Sequence, residues 1–174
     1  MTDDGRYRLE PLDQHHVVGE FACEEDDFGE YLRDEAIQDI EKGFALTFVE
    51  IDITCDVSNN IAGFFTLRAH ADRIKDDEGG EPIEVPLVEL LWLARDLRWR
   101  GQRVGDILLL DALAMVAQVS RYVGFIGLHL RSTGNGKRLY ERNHFLPFDQ
   151  HIRYDGIRYI LPIAFIREIA DSLE

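Results

Sequence analysis

The stretch Arg100-Gly101-Gln102-Arg103-Val104-Gly105 lies between an apolar run, residues 87–94, and a helical pattern over residues 107–119. Its order is strand, glycine-bearing turn and helix N-terminus. Such a junction directs several backbone N–H groups at one point, and the helix dipole adds partial positive charge there. The stretch therefore predicts a binding site for a phosphate or pyrophosphate group.

The residues that follow the turn predict further alternation of helices and strands. Residues 87–94 are typical of a central strand covered on both faces, with Glu89 as the exception, and residues 104–122 predict a buried helix. We then expect a strand at 125–131, a short helix at 136–143, a hairpin of 148–154 with 157–162, and a closing helix at 163–173.

The residues before the turn predict a mostly antiparallel half. A short strand is expected at 7–12, an amphipathic helix at 28–42 ending at Gly43, and a hairpin of 44–53 with 61–69. Residues 70–86 are polar and are expected to form a long loop. The fold class is therefore α/β (α+β), with a single mixed, mostly antiparallel sheet flanked by helices.

Composition limits the class of protein. The 174 residues, of which 45% are hydrophobic, suit one domain spanning 1–174. The acidic N-terminus differs from a signal peptide, and no apolar run reaches transmembrane length, so we expect a cytoplasmic protein without a membrane partner. Cys23 and Cys55 lie outside any CxxC or Cys/His pattern, which gives no support for a metal site.

Charge is distributed unevenly along the chain. The net charge is −14, which argues against a nucleic-acid binder, but residues 1–90 carry −17 and residues 91–174 carry +3. The basic surplus lies in the half that holds the turn. Two interpretations of the acidic runs at 24–27 and 76–78 are open: a solvated surface, or a surface for a cationic acceptor or a protein partner.

Several motifs together resemble the GNAT superfamily of acyl-CoA-dependent N-acyltransferases. The turn stands at the position of the family's Gln/Arg-x-x-Gly-x-Gly/Ala signature. A narrower resemblance, to the toxin-type branch that acetylates the amino group of aminoacyl-tRNA, extends over nearly the whole chain. It is carried by Phe21-Ala22-Cys23, Tyr31-Leu32, Ala36, Gln38-Asp39, Gly43, Phe48-Val49, residues 61–67, Leu93-Ala94-Arg95-Asp96, Leu139-Tyr140-Glu141 and residues 159–163.

The resemblance implies an acetyl-CoA-dependent N-acetyltransferase with a primary amine as acceptor. The pantetheine arm of the coenzyme would be held by the end of the strand, at Leu93, Ala94 and Arg95. The pyrophosphate would be held by the turn, at Arg100, Gly101, Gln102, Arg103, Val104 and Gly105. Tyr140 falls at the family's tyrosine position and would protonate the departing thiolate. Further partners typical of the branch are an aminoacyl-tRNA acceptor and an antitoxin protein, and proteins of this fold often form homodimers.

The chain departs from the pattern at a few positions. Arg103 replaces the middle glycine of the signature, Trp92 stands where a basic residue is common, and His144 stands where glycine is usual. Two roles are open for Arg103: an added charge-assisted contact to phosphate, or crowding of the coenzyme.

The general base is left open by the sequence. Glu89 interrupts an apolar strand, and a partly buried carboxylate there is suited to drawing a proton through water; pairing with an arginine is the alternative. His70 is a similar case at the end of a strand. The runner-up function is a catalytically weak or inactive CoA-binding module on the same fold, motivated by Arg103 and the undetermined base.

Overall fold

The computed structural model describes residues 5–55, 60–75, 80–147 and 156–172. Among them, seven strands form one mixed sheet in the order β1-β2-β3-β4-β5-β7-β6. The strands are β1 (Tyr7–Pro11), β2 (Leu46–Asp52), β3 (Ile61–Ile74), β4 (Ile83–Arg95), β5 (Gly127–Ser132), β6 (Leu146–Pro147) and β7 (Ile157–Pro162). β4 and β5 pair in parallel, whereas β1 with β2, β2 with β3, β5 with β7 and β6 with β7 pair antiparallel. The predicted fold class is confirmed.

The helices occur where the periodicity predicts them, with one irregularity. They are α1 (Asp26–Glu30), α2 (Ala36–Lys42), α3 (Val104–Val119), α4 (Lys137–Arg142) and α5 (Ile163–Asp171). The helix predicted at 28–42 is divided by a π-helical segment, Tyr31–Glu35. It ends as predicted, because Gly43 has the left-handed conformation (φ 70°) that closes a helix.

The loop predicted at 70–86 is largely wrong. β3 continues to Ile74 and β4 begins at Ile83, so both ends of the expected loop are strand. The first strand of the hairpin predicted at 148–154 lies outside the described residues.

Two compact units divide the chain. The first comprises Met1–Leu67 with Leu91–Ala112, and the second Arg68–Leu90 with Leu113–Glu174. The core of the first unit gathers Phe21 and Leu32 from the N-terminal region with Val49, Ile61 and Phe64 from β2 and β3. In the second unit, Leu128, Leu130 and Leu161 are fully or almost fully buried. No helix among the described residues is long and apolar enough to cross a membrane.

Candidate active site

The turn at residues 100–105 belongs to the first unit and joins β4 to α3. A short 3₁₀ helix, Leu97–Trp99, precedes it, and α3 begins at Val104, which is fully buried. Gly101 (φ 80°) and Arg103 (φ 61°) both have left-handed backbones. Where left-handed and right-handed residues follow one another, successive N–H groups point towards one side, as in the backbone nests that bind anions.

Hydrogen bonds fix the path of the backbone through this turn. The N–H of Gln102 donates to the carbonyl of Trp99 (3.2 Å), and the N–H of Asp106 donates to the carbonyl of Arg103 (3.0 Å). Arg103 is thus the residue that caps α3. The first N–H groups of α3, on Val104 and Gly105, have no carbonyl one turn earlier in their own helix, so they are suited to an anion.

The side chains around the turn leave room beside the backbone. A Cβ added to Gly101 would meet no atom within 4 Å. The Arg103 side chain is 62% exposed, and its Nε lies 3.6 Å from a carboxylate oxygen of Asp106. The left-handed backbone explains why glycine is usual at the position of Arg103, since that conformation is strained for any residue with a Cβ.

A buried carboxylate on β2 anchors the segment before the turn. Asp52 is fully buried and accepts hydrogen bonds from Trp99 Nε1 (2.7 Å), from Arg6 Nη2 (2.6 Å) and from Thr54 Oγ1 (2.6 Å). Burial by itself raises the pKa of Asp52, but the bonds from Arg6, Thr54 and Trp99 outweigh it and hold the pKa well below its ordinary value. Asp52 is therefore an ionised anchor for the 3₁₀ helix.

A second carboxylate, Asp96, caps the same 3₁₀ helix. It accepts from the backbone N–H of Arg98 (2.9 Å) and from the Arg98 guanidinium (Nε, 2.8 Å; Nη2, 2.9 Å). The guanidinium also lies over the ring of Trp99, 4.7 Å from its centroid. Arg98 is therefore engaged within the protein, whereas Arg100, at the first position of the signature, is exposed.

The strand residues expected to hold the pantetheine arm lie near the end of β4. The parallel ladder with β5 pairs Val88 with Leu128, Glu89 with His129 and Leu90 with Leu130. β4 itself continues to Arg95, so Leu93, Ala94 and Arg95 follow the laddered residues. The parallel pairing of β4 with β5 ends at Leu90, so the backbone groups of Leu93, Ala94 and Arg95 lie beyond it.

Aromatic side chains pack around Trp92 on the same strand. The Trp92 ring stacks on Tyr31 (centroids 5.0 Å apart) and meets Phe28 edge-on (4.7 Å). Tyr31 begins the π-helical segment and donates to Asp39 Oδ2 (3.1 Å). Trp92, which departs from the family pattern, thus has a packing role in the first unit.

Tyr140 belongs to the second unit and lies on α4, where its side chain is 7% exposed. Its ring meets Phe145 edge-on (5.6 Å), and a Cβ added to Gly136 would lie 2.8 Å from its Cε2. Burial raises the pKa of Tyr140 well above its ordinary value. The phenol therefore keeps its proton at neutral pH, as a general acid must.

Glu89 lies in a cluster of charged and titratable side chains on four strands of the second unit. We call this the Glu89 cluster, and its members are Arg68, His70 and Asp72 of β3, Glu89 of β4, His129 of β5 and Arg158 of β7. Glu89 is 5% exposed and accepts a hydrogen bond from Arg68 Nε (2.6 Å). Glu89 therefore forms an ion pair with Arg68.

Two histidines face the same carboxylate. His129 Nδ1 lies 3.6 Å from Glu89 Oε1, and His70 Nδ1 lies 3.8 Å from Glu89 Oε2. The two imidazole rings stack with centroids 5.2 Å apart. Arg158 donates to His129 Nε2 (3.2 Å) and forms an ion pair with Asp72.

Sequence reasoning did not find several of these residues. Asp52, His129 and Arg158 are residues that the sequence alone does not mark as functional. The available signal was the alternation of polar residues at 68, 70 and 72, which places Arg68, His70 and Asp72 on one face of a strand.

No model of a protein family matches the sequence. Solved structures match it over nearly its whole length. AtaT complexed with acetyl-methionyl-tRNAfMet has a TM-score of 0.79 at 18% identity, covering 94% of this chain and 98% of that chain. For AtaTR bound with AcCoA the values are 0.76, 19%, 94% and 98%, and for the KacTA–DNA complex 0.76, 19%, 95% and 99%. The chain therefore has the fold seen in AtaT and KacT.

Proposed function

We propose that this protein is an acetyl-CoA-dependent N-acetyltransferase whose acceptor is the amino group of an aminoacyl-tRNA. The observation that carries the proposal is the left-handed turn at 100–105, which opens α3 at the signature position of a GNAT-type fold. The similar structures support the choice of donor and acceptor, because AtaTR was solved with AcCoA and AtaT with acetyl-methionyl-tRNA.

The donor would be held by backbone more than by side chains. The N–H groups of Val104 and Gly105 suit a pyrophosphate, and the open space beside Gly101 leaves that approach unobstructed. Arg100 and Arg103 would add positive charge at the same place. The backbone of Leu93 to Arg95 would pair with the pantetheine arm. Acetyl-CoA supplies a thioester, whose acetyl group an amine can accept.

Proton transfers would be divided between two residues. Tyr140, kept protonated by burial, would donate to the thiolate that leaves. Glu89, fixed by Arg68, would accept a proton from the incoming amine through water. An antitoxin partner and a homodimer belong to the same proposal: AtaT has been solved bound to the C-terminus of the antitoxin AtaR.

Calorimetry with acetyl-CoA tests the donor assignment. Gly105→Trp places a large side chain at the first turn of α3 and should weaken binding at least tenfold relative to the wild type. Gly124→Trp is the matched control, because a Cβ at Gly124 would meet no atom within 4 Å and the residue lies outside the turn. Equal binding by the wild type and Gly105→Trp, or no binding by the wild type, contradicts the assignment.

The acceptor is tested by mass spectrometry after incubation with acetyl-CoA. We expect acetylated aminoacyl-tRNA from a pool charged with all amino acids, and no comparable product from small amines or denatured protein. Tyr140→Phe should lower the rate of thiol release by about 10²-fold or more without changing acetyl-CoA affinity. Acetyl-CoA binding without transfer to any of these amines would instead support the runner-up, a binding module.

A further inference from the structure

The hydrogen-bond pattern of His129 fixes which ring nitrogen carries its proton. Arg158 donates to Nε2, and a guanidinium can only donate, so Nε2 must present its lone pair. Burial lowers the pKa of His129 to about 4, so the ring is neutral at physiological pH. A neutral ring with a bare Nε2 carries its hydrogen on Nδ1. His129 therefore presents an N–H towards Glu89 Oε1, 3.6 Å away.

Glu89 is sealed from solvent by the groups that hold it. Its side chain is 6% exposed, with Arg68 on one carboxylate oxygen and His129 facing the other. A carboxylate buried in this way cannot release a proton directly to bulk water. The proton needs a neighbour that is both accessible and able to change its charge.

Among the described members of the Glu89 cluster, His70 meets both conditions. Its side chain is 27% exposed, and its Nδ1 lies 3.8 Å from Glu89 Oε2. Imidazoles change charge close to neutral pH, whereas the guanidinium of Arg68 does not lose its proton. The ring of His70 also stacks on His129, which holds it beside the carboxylate.

We propose that His70 is the outlet for the proton released in acetyl transfer, that Glu89 passes the proton to it, and that His129 is a positioning residue for Glu89. This inference rests on the proposed function. The acceptor ammonium loses one proton to Glu89. That proton passes to His70 Nδ1 through a bridging water, because the 3.8 Å between Nδ1 and Glu89 Oε2 is longer than a hydrogen bond. His70 then delivers the proton to solvent. The amine nitrogen then forms a bond to the acetyl carbon while the carbon–sulfur bond breaks, and the second proton lost by nitrogen balances the one gained by the thiolate.

The inference predicts a pH dependence of the turnover rate. The charged and titratable groups near His70 and Glu89 are Arg68 and Asp72 from β3, His129 and Arg131 from β5, and Arg158 from β7. Because His70 exchanges the transferred proton with solvent, kcat of the wild type should depend on pH. Replacing His70 should change this dependence, because the other imidazole of the cluster, His129, is only 1% exposed.

The experiment measures CoA release from acetyl-CoA with a pool of aminoacylated tRNA between pH 5.5 and 8. For His70→Asn and His70→Gln we expect kcat to fall about tenfold or more, the KM for acetyl-CoA to stay unchanged, and added imidazole to restore part of the rate. His129→Phe keeps the stacked ring but lacks the N–H and should lower kcat, whereas His129→Asn keeps a donor near Nδ1 and should retain most of it. His15→Asn, an exposed histidine elsewhere, is the control and should behave as the wild type.

Two failures are distinguishable. An active wild type whose rate and pH profile are unchanged in folded His70→Asn and His70→Gln overturns the relay and leaves the proposed function standing. A folded wild type that binds acetyl-CoA but releases no CoA with any aminoacyl-tRNA overturns the proposed function, and the relay with it. Melting temperatures of all variants identify any loss of rate that comes from unfolding.

Discussion

Replacing Arg103 by glycine should stabilise the protein relative to replacing it by alanine. Arg103 has φ 61°, and the left-handed conformation costs a residue with a Cβ about 1–2 kcal/mol. Glycine avoids that cost. However, the unfolded chain has more conformational entropy with glycine than with alanine, which lowers the free energy of unfolding by about 0.4–1 kcal/mol. We therefore expect Arg103→Gly to exceed Arg103→Ala in free energy of unfolding by about 0.5–1 kcal/mol.

The comparison of the two variants isolates the backbone. Both lose the side chain and its contact with Asp106, an exposed pair separated by one helical turn, so that loss cancels. Glycine is also a better N-cap than alanine, which adds in the same direction. Because the chain has 174 residues, the expected difference corresponds to roughly 1–4 °C in Tm.

Guanidinium denaturation followed by circular dichroism gives both free energies directly. The matched opposite change is Gly101→Ala, where φ is 80° and the added Cβ meets no atom within 4 Å. The same backbone cost and the same unfolded-chain offset apply, so a destabilisation of about 0.5–1 kcal/mol is expected. If Arg103→Gly is no more stable than Arg103→Ala while Gly101→Ala is destabilised, the left-handed backbone at Arg103 is not strained and the reasoning fails.

Three further changes test other parts of the fold. Asp52→Asn should cost about 3 kcal/mol at pH 7 because it removes the charge of a buried carboxylate that accepts hydrogen bonds from Arg6, Thr54 and Trp99. Since the pKa of Asp52 is lowered in the folded state, its contribution is present above about pH 4 and is lost as the pH falls further, so acid denaturation curves should be flatter in the variant. Gly136→Ala should displace the ring of Tyr140, 2.8 Å from the new Cβ, and lower kcat while calorimetry shows unchanged acetyl-CoA binding. Gly63→Ala should destabilise by about 1–3 kcal/mol in thermal melts, because its Cβ would lie 2.8 Å from the carbonyl oxygen of Ala94, and an unchanged Tm would contradict this packing.

Periodicity predicted most elements, and it failed where distant residues decide the structure. Residues 70–74 begin a long polar stretch, residues 70–86, that indicates a loop when taken alone, yet they continue β3. The polar side chains of β3 have partners on two other strands: Arg68 and His70 meet Glu89 of β4, and Asp72 meets Arg158 of β7. No local pattern contains those partners, so the strand and the Glu89 cluster escaped prediction together.

The interruption of the first helix has a similar origin. The apolar spacing at 28–42 fits one continuous helix, but Tyr31 is drawn into stacking on Trp92 and hydrogen bonding to Asp39. At this point the π-helical segment Tyr31–Glu35 replaces regular α-helix. The sequence therefore predicts the end of this helical region at Gly43, whereas the region begins two residues earlier than predicted, at Asp26, and tertiary contacts determine its interior.

The turn at 100–105 shows how a departure from a family pattern can leave a conformation intact. A residue with a Cβ persists in the left-handed region only where its surroundings over-determine the backbone. Here Asp52 holds Trp99 and Asp96 holds Arg98 on one side, while the buried Val104 fixes the start of α3 on the other. Arg103 therefore adopts the conformation that glycine would take, and the shape of the turn is kept. Its guanidinium adds a positive charge beside the expected phosphate site, whereas its backbone is strained.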